Sequence, residues 1–205
     1  MDQKALFNLS YGVFVLGVKN DEKLNACITN TAIQVTTSPL QIAIAINNSN
    51  QTCKMLKESK TFVLSILDKS CTFETIKHFG FQSGKDVNKF ESFPYKTDLN
   101  GNPYLTKEIC SVISAKVVSM TDLGTHTLFV AEIQDAQITS NEKPITYADY
   151  QNDIKPKPQV QSDKKIVGWR CKICGYEYME TELPKDFICP ICGHPAEDFE
   201  PIYAN

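Results

Sequence analysis

Four cysteines carry the clearest chemistry in the chain. Cys171, Cys174, Cys189 and Cys192 form two Cys-x-x-Cys pairs separated by 14 residues, and a glycine follows each pair (Gly175 and Gly193). Thiolates at this spacing can occupy the corners of a tetrahedron around one cation, and an all-sulfur tetrahedron selects zinc or iron. A glycine after the pair can take positive φ and turn backbone N–H groups toward the sulfurs, which steadies the anionic ligands. Spacing alone leaves a zinc ribbon and an iron site equally open. The other cysteines, Cys27, Cys53, Cys71 and Cys110, are irregularly spaced and read as small buried thiols.

Familiar nucleotide signatures are absent. No G-x-G-x-x-G occurs, so a Rossmann dinucleotide site has no support. Gly80-Phe-Gln-Ser-Gly84-Lys85 has the wrong spacing for a P-loop, and Asp86 stands where Ser or Thr is required.

The elements that must position these residues follow from composition and pattern. The chain has 205 residues, 42% apolar and 22% charged, an ordinary globular composition. Its net charge of −3 gives no electrostatic reason to expect nucleic acid or a polybasic membrane contact. The apolar runs Ile42–Ile46 and Phe62–Leu67 are far short of the ~20 residues that cross a bilayer. No basic leader precedes the first apolar run, so a cytoplasmic location is expected. Tyr11–Val18, Leu24–Ile28, Leu40–Ile46, Thr61–Leu67, Val112–Ser119 and His126–Ala136 read as strands. Gln51–Ser59 reads as a helix capped by Asn50, and a second helix is expected from Ser70 to Phe79. Short turns join most of these, which points to an antiparallel barrel. Residues 1–150 make this domain. The stretch 151–165, rich in Pro and polar residues, reads as a linker, and 166–205 as a separate module. Forty residues are too few for an independent core, and the four cysteines supply the staple that such a module needs.

The C-terminal motifs identify the module's kin. Trp169-Arg-Cys-Lys-Ile-Cys-Gly-Tyr176 and Leu183-Pro-Lys-Asp-Phe-Ile-Cys-Pro-Ile-Cys-Gly193 resemble rubredoxin, in the short form found as the tail of rubrerythrins. The resemblance implies one Fe(SCys)4 centre on Cys171, Cys174, Cys189 and Cys192, with Trp169, Tyr176, Tyr178, Phe187 and Phe199 as an aromatic core.

The first 150 residues resemble the flavin reductase-like, FMN-binding split-barrel family that includes flavoredoxin. The resemblance rests on several short motifs taken in order. They are Asn25-Ala26-Cys27-Ile28-Thr29-Asn30-Thr31 with Gln34-Val-Thr36 and Pro39, and Ile46-Asn47-Asn-Ser49-Asn50-Gln51-Thr52. Ser83-Gly84 with Lys89-Phe90 follows, then Gly124-Thr-His126-Thr-Leu-Phe129. It implies a mainly β fold: an FMN-binding split β-barrel with a few helices, joined here to the small rubredoxin-like metal-binding domain. Residues 25–31 would face the isoalloxazine. Asn47, Ser49, Asn50, Gln51 and Thr52 would hold the phosphate at a helix N-terminus, where N–H groups and the helix dipole favour an anion. Lys89 joins the cofactor-binding set, and His126 would handle nicotinamide. Tyr147 and Tyr150 either close over the flavin or pack the barrel. The family also implies a homodimer.

The two halves fit one another chemically. Nicotinamide delivers two electrons as hydride, a single iron takes one, and flavin converts between them. The fusion is similar to the high-molecular-weight rubredoxin family. That likeness implies NADH or NADPH as donor, FMN and one Fe per chain as cofactors, and a flavodiiron-type redox protein as acceptor. Free-flavin or ferric reduction, and a flavin-binding protein with a structural zinc ribbon, are the alternatives.

Overall fold

The computed structural model describes residues 3–156 and 165–204. The chain divides into two units, Met1–Lys155 and Pro156–Asn205. The central part of the expected linker, residues 157–164, lies outside the described residues. The first unit runs past Tyr150 because residues 150–154 form one more helical turn, and Ile154 packs against the unit's core.

The strands of the first unit are β1 (Phe14–Asn20), β2 (Lys23–Thr29), β3 (Ala32–Thr37), β4 (Leu40–Asn47) and β5 (Thr61–Leu67). They continue as β6 (Tyr95–Thr97), β7 (Pro103–Leu105), β8 (Ile109–Asp122) and β9 (His126–Ile138). Two helices interrupt them, α1 (Gln51–Ser59) and α2 (Phe73–Gly80). Among the described residues, seven strands join in the order β2-β1-β5-β8-β9-β4-β3, with each neighbouring pair antiparallel, and β6 and β7 form a small ribbon. The two edge strands, β2 and β3, are joined only by Asn30 and Thr31. A sheet whose first and last strands meet through two residues must curl until its edges approach, which is the split-barrel geometry.

Two apolar clusters hold this sheet. Phe14, Leu16 and Val18 of β1 point to one, together with Ile42, Ile44 and Ile46 of β4, Phe62, Leu64 and Phe129. Cys53, Met55 and Leu56 of α1 join the same cluster, so α1 packs on the concave side. Val13 and Val15 point the other way, toward Ile76 and Phe79 of α2, Phe90, Leu105 and Tyr150. β1 is buried on both faces, which is why its sequence is a nearly unbroken apolar run. Gly17 interrupts the run for a steric reason: a Cβ there would lie 1.8 Å from the Pro103 carbonyl oxygen.

Three expectations shift. The second helix starts at Phe73, capped by the Thr72 side chain, because Ser70 is engaged in a turn on Asp68. β3 is a full strand where only a polar motif was expected. Its outward side chains Ile33 and Val35 are exposed, so no clean buried alternation marks it. Tyr147 and Tyr150 resolve in favour of packing, against the convex-side cluster.

The second unit is a three-stranded sheet, β11 (Glu177–Tyr178), β10 (Ile166–Cys171) and β12 (Phe199–Tyr203), with β10 central. Its buried core is Cys171, Cys189 and Phe199, with Trp169, Tyr176, Tyr178 and Phe187 packed around them. Phe187 meets Phe199 edge-on with ring centroids 5.3 Å apart.

Candidate functional site

The thiol cluster rests on two loops built to one pattern. Cys171 N–H donates to Tyr176 O at 2.8 Å, and Gly175 N–H donates to Cys171 O at 2.9 Å. Cys189 N–H donates to His194 O at 2.8 Å, and Gly193 N–H donates to Cys189 O at 2.9 Å. Gly175 and Gly193 have φ of +78° and +72°, a conformation that other residues adopt only with strain. The loops bring all four sulfurs within 4.8 Å of one another, with Cys171–Cys192 at 3.6 Å and Cys174–Cys189 at 3.4 Å. A cation ~2.3 Å from each sulfur of a tetrahedron requires sulfur–sulfur edges of about 3.8 Å. The sulfur–sulfur hydrogen bond with Cys192, and then the N–H groups of Cys174 and Ile173, lower the Cys171 thiol to about 5. Burial lifts Cys174 to about 12, and the hydrogen bond shared with Cys171 drives Cys192 upward. Four sulfurs this close ionise together only around a cation, so the donor set fits one zinc or iron ion. Cys171 and Cys189 are buried, whereas Cys174 and Cys192 are half-exposed.

In the first unit, the two polar segments meet at the start of α1. Asn25 Nδ2 donates to Thr52 Oγ1 at 3.1 Å, and both side chains are buried. Asn25 Oδ1 is buried with no hydrogen-bond partner, and the Gly84 backbone lies against it so closely that a Cβ at 84 would sit 2.2 Å from that oxygen. An orphaned buried acceptor at this place fits a ligand with a polar edge, such as flavin. Asn50 caps α1 by accepting Thr52 N–H at 2.9 Å, and Asn47 Oδ1 accepts both the N–H and the hydroxyl of Ser49. Gln51, half-buried, opens the helix. His126 stands directly opposite Asn47 in the β4–β9 register. Its Nδ1 lies 2.9 Å from Thr125 Oγ1, and burial lowers its pKa, which favours the neutral ring.

Other expected contacts go elsewhere. Lys89 is buried, and its ammonium donates to Ala26 O and Phe79 O, each at 2.8 Å. It ties the free edge of β2 to the end of α2, a structural role that the expectation above did not include. The same bond occupies the Ala26 carbonyl. Ile28 packs beneath Gly80 of α2. Cys27 is buried beside Thr52, and burial pushes its thiol up to about 11, so it is no thiolate at neutral pH. Thr31 Oγ1 donates to Ala45 O at 2.7 Å and accepts Ala45 N–H at 3.2 Å, which pins β3 to β4. Thr29 Oγ1 lies 3.2 Å from Thr31 Oγ1. Asn30 remains half-exposed at the two-residue link between the sheet edges. Sequence reasoning passed over Asn48, the most heavily bonded side chain of the loop. Its only sequence signal was membership of the polar run 47–50.

Known proteins place both halves. Residues 6–155 match the model of the flavin reductase like domain, and 169–200 match the rubrerythrin, rubredoxin-like domain. The chain is 32% identical to high molecular weight rubredoxin from Moorella thermoacetica, over 98% of this chain and 100% of that one. It is 39% identical to a ferric-chelate reductase (NAD(P)H) from Archaeoglobus fulgidus, over 73% of this chain and 89% of that one. The NADH:FAD oxidoreductase SgcE6 of Streptomyces globisporus C-1027 shares the fold, with a TM-score of 0.64 at 18% identity over 70% of this chain and 85% of that one. With residues 6–155 matched by the one domain and the four-thiol segment 169–200 by the other, this chain belongs to the flavin reductase-like family, in the form with a rubredoxin-like domain that high molecular weight rubredoxin represents.

Proposed function

We propose that the chain carries electrons from NAD(P)H through bound FMN to one iron on Cys171, Cys174, Cys189 and Cys192, and on to a flavodiiron-type redox protein. The observation that carries this reading is the presence, in one chain, of a flavin reductase-like sheet and a four-thiol cluster of tetrahedral size. FMN would supply the conversion between hydride and single electrons, and iron the one-electron store.

The chain's own residues do the holding and orienting. Asn25 offers a buried carbonyl oxygen to the polar edge of the ring system, with Thr52 fixing its amide. Ser49, Asn50 and Gln51 lie at the positive end of α1, where a phosphate is favoured. Neutral His126, opposite Asn47, faces the same end of β4 and is suited to orient nicotinamide without adding charge. The half-exposed Cys174 and Cys192 mark the side of the second unit that a partner can approach. Glu180, Glu182, Asp186, Glu197 and Glu200 are exposed and suit a salt-sensitive docking face. Asp198 is buried, and Glu177 is paired with Arg170. Exposed Ile33, Val35, Val118, Met120 and Leu123 support a homodimer through the β3 and β8 region. No helix among the described residues is long and apolar enough to cross a membrane.

The test is the anaerobic visible spectrum of the purified full chain, with metal analysis, before and after NADH. Flavin and ferric-thiolate bands that both bleach are expected. Zinc in protein made with ample iron would overturn the relay. A second reading, ferric-chelate reduction by the first unit alone, is favoured by the 39% identical relative. It is supported if Cys189→Ser leaves NADH-driven reduction of a ferric chelate at full rate.

A further inference from the structure

Asn48 sits between Asn47 and Ser49, two of the residues expected at the phosphate, and its bonds run across to β9. Its backbone N–H donates to Thr125 O at 2.9 Å. Its Nδ2 donates to Gly124 O at 2.7 Å and reaches Asp122 Oδ1 at 3.3 Å. Its Oδ1 accepts from Thr127 Oγ1 at 2.6 Å and from Lys57 Nζ at 3.1 Å, and the Cys53 thiol points to it at 3.8 Å. These partners flank His126 on both sides. The turn itself is closed by Leu123 N–H on His126 O and Gly124 N–H on Asp122 Oδ1, each at 2.8 Å. Side-chain packing adds little at its tip, where Gly124 has φ of +92° and a Cβ would meet nothing within 4 Å. Asn48 is the side chain that ties this turn to the α1 loop, with bonds to the backbone and side chains on both sides of His126.

We propose that Asn48 is a positioning residue for nicotinamide handling, acting through His126; the inference rests on the role given to His126 above. Asn is needed because the site asks for both halves of an amide. One side faces the donors Lys57 and Thr127, and the other faces the acceptors Gly124 O and Asp122. A carboxylate of the same shape keeps the first side. It loses both donors on the second and sets a like charge beside Asp122.

The experiment uses the full chain with FMN and NADH under anaerobic conditions, comparing Asn48→Asp, His126→Ala and the double variant. Asn48→Asp is expected to lower kcat for NADH oxidation about tenfold or more, as displaced positioning groups do, while FMN affinity changes less than about threefold. In the His126→Ala background the same change is expected to have no further effect, since both act on one step. An additive loss in the double variant, or a loss confined to FMN affinity, overturns the proposal. Should Asn48→Asp fail to fold, Thr127→Val removes the 2.6 Å donor at nearly constant volume and must lower kcat in the same direction. Wild-type protein that binds FMN but oxidises no NADH overturns the role of His126, and the role of Asn48 with it. That outcome is visible before any variant is made.

Discussion

The two units solve the problem of stability in opposite ways. The first surrounds its polar site with two apolar clusters that contain none of the expected phosphate-binding residues. Among its described residues the second has three buried apolar core side chains, and two of them, Cys171 and Cys189, belong to the thiol cluster. In the first unit an exposed residue of the phosphate loop, such as Ser49, can be altered with the fold intact. In the second, the site and the core are the same atoms, so function and stability rise and fall together.

The largest break in this comparison comes from the metal. Structural metal binding to four such ligands contributes on the order of 10 kcal/mol. Chelation, or Cys189→Ser, is therefore expected to unfold the second unit while the seven-stranded sheet keeps its protection in amide hydrogen exchange. Equal protection loss in both units would show that they fold as one. Next is Gly17→Ala, which forces a Cβ to within 1.8 Å of the Pro103 carbonyl oxygen. A loss of about 3 kcal/mol is expected in denaturant unfolding of the first unit, with the metal-centre spectrum unchanged.

Lys89→Met separates strut from ligand. It leaves Ala26 O and Phe79 O unpaired in the interior, a loss of about 2 kcal/mol, with FMN affinity expected to hold in protein that remains folded. A drop in affinity at unchanged stability would return Lys89 to the cofactor. The smallest effect is on pH. The Lys69 bond, followed by Thr146 N–H and O–H, holds Asp149 at about 2, below its ordinary 3.8. Its contribution is therefore complete above about pH 4 and is lost as pH falls through about 2. The capping box at Thr146 should loosen over that window while the chemical shifts of the β1–β5 core stay fixed.

What could be read from residues depended on whether the information was local. The two knuckles are local: a Cys pair and a following glycine fix each loop's own hydrogen bonds, so the four-thiol cluster was visible in spacing alone. Gln51–Ser59 with its Asn50 cap is local too, and forms as expected. The role of Lys89 was not, because its two carbonyl partners come from β2 and the end of α2, 63 and 10 residues away. Asn48 eluded pattern reading for the same reason. Three neighbouring asparagines look alike in sequence, and only the pairing of β4 with β9 distinguishes the one that reaches Gly124. β3 escaped because an edge strand with exposed apolar residues lacks the buried alternation by which strands are recognised.

The link of Asn30 and Thr31 between the two sheet edges has a consequence for how the chain assembles. β2 and β3 are adjacent in sequence, yet they stand at opposite ends of the ladder, so no hairpin between them seeds the barrel. Closure waits for β9, whose turn meets Asn48 across 76 residues of chain. Contacts of that separation form slowly. On the ribosome, the polar site of the first unit therefore matures only after β9 has emerged, whereas the thiol cluster closes over a span of 21 residues. A cofactor offered to the nascent chain before that point finds no site to enter.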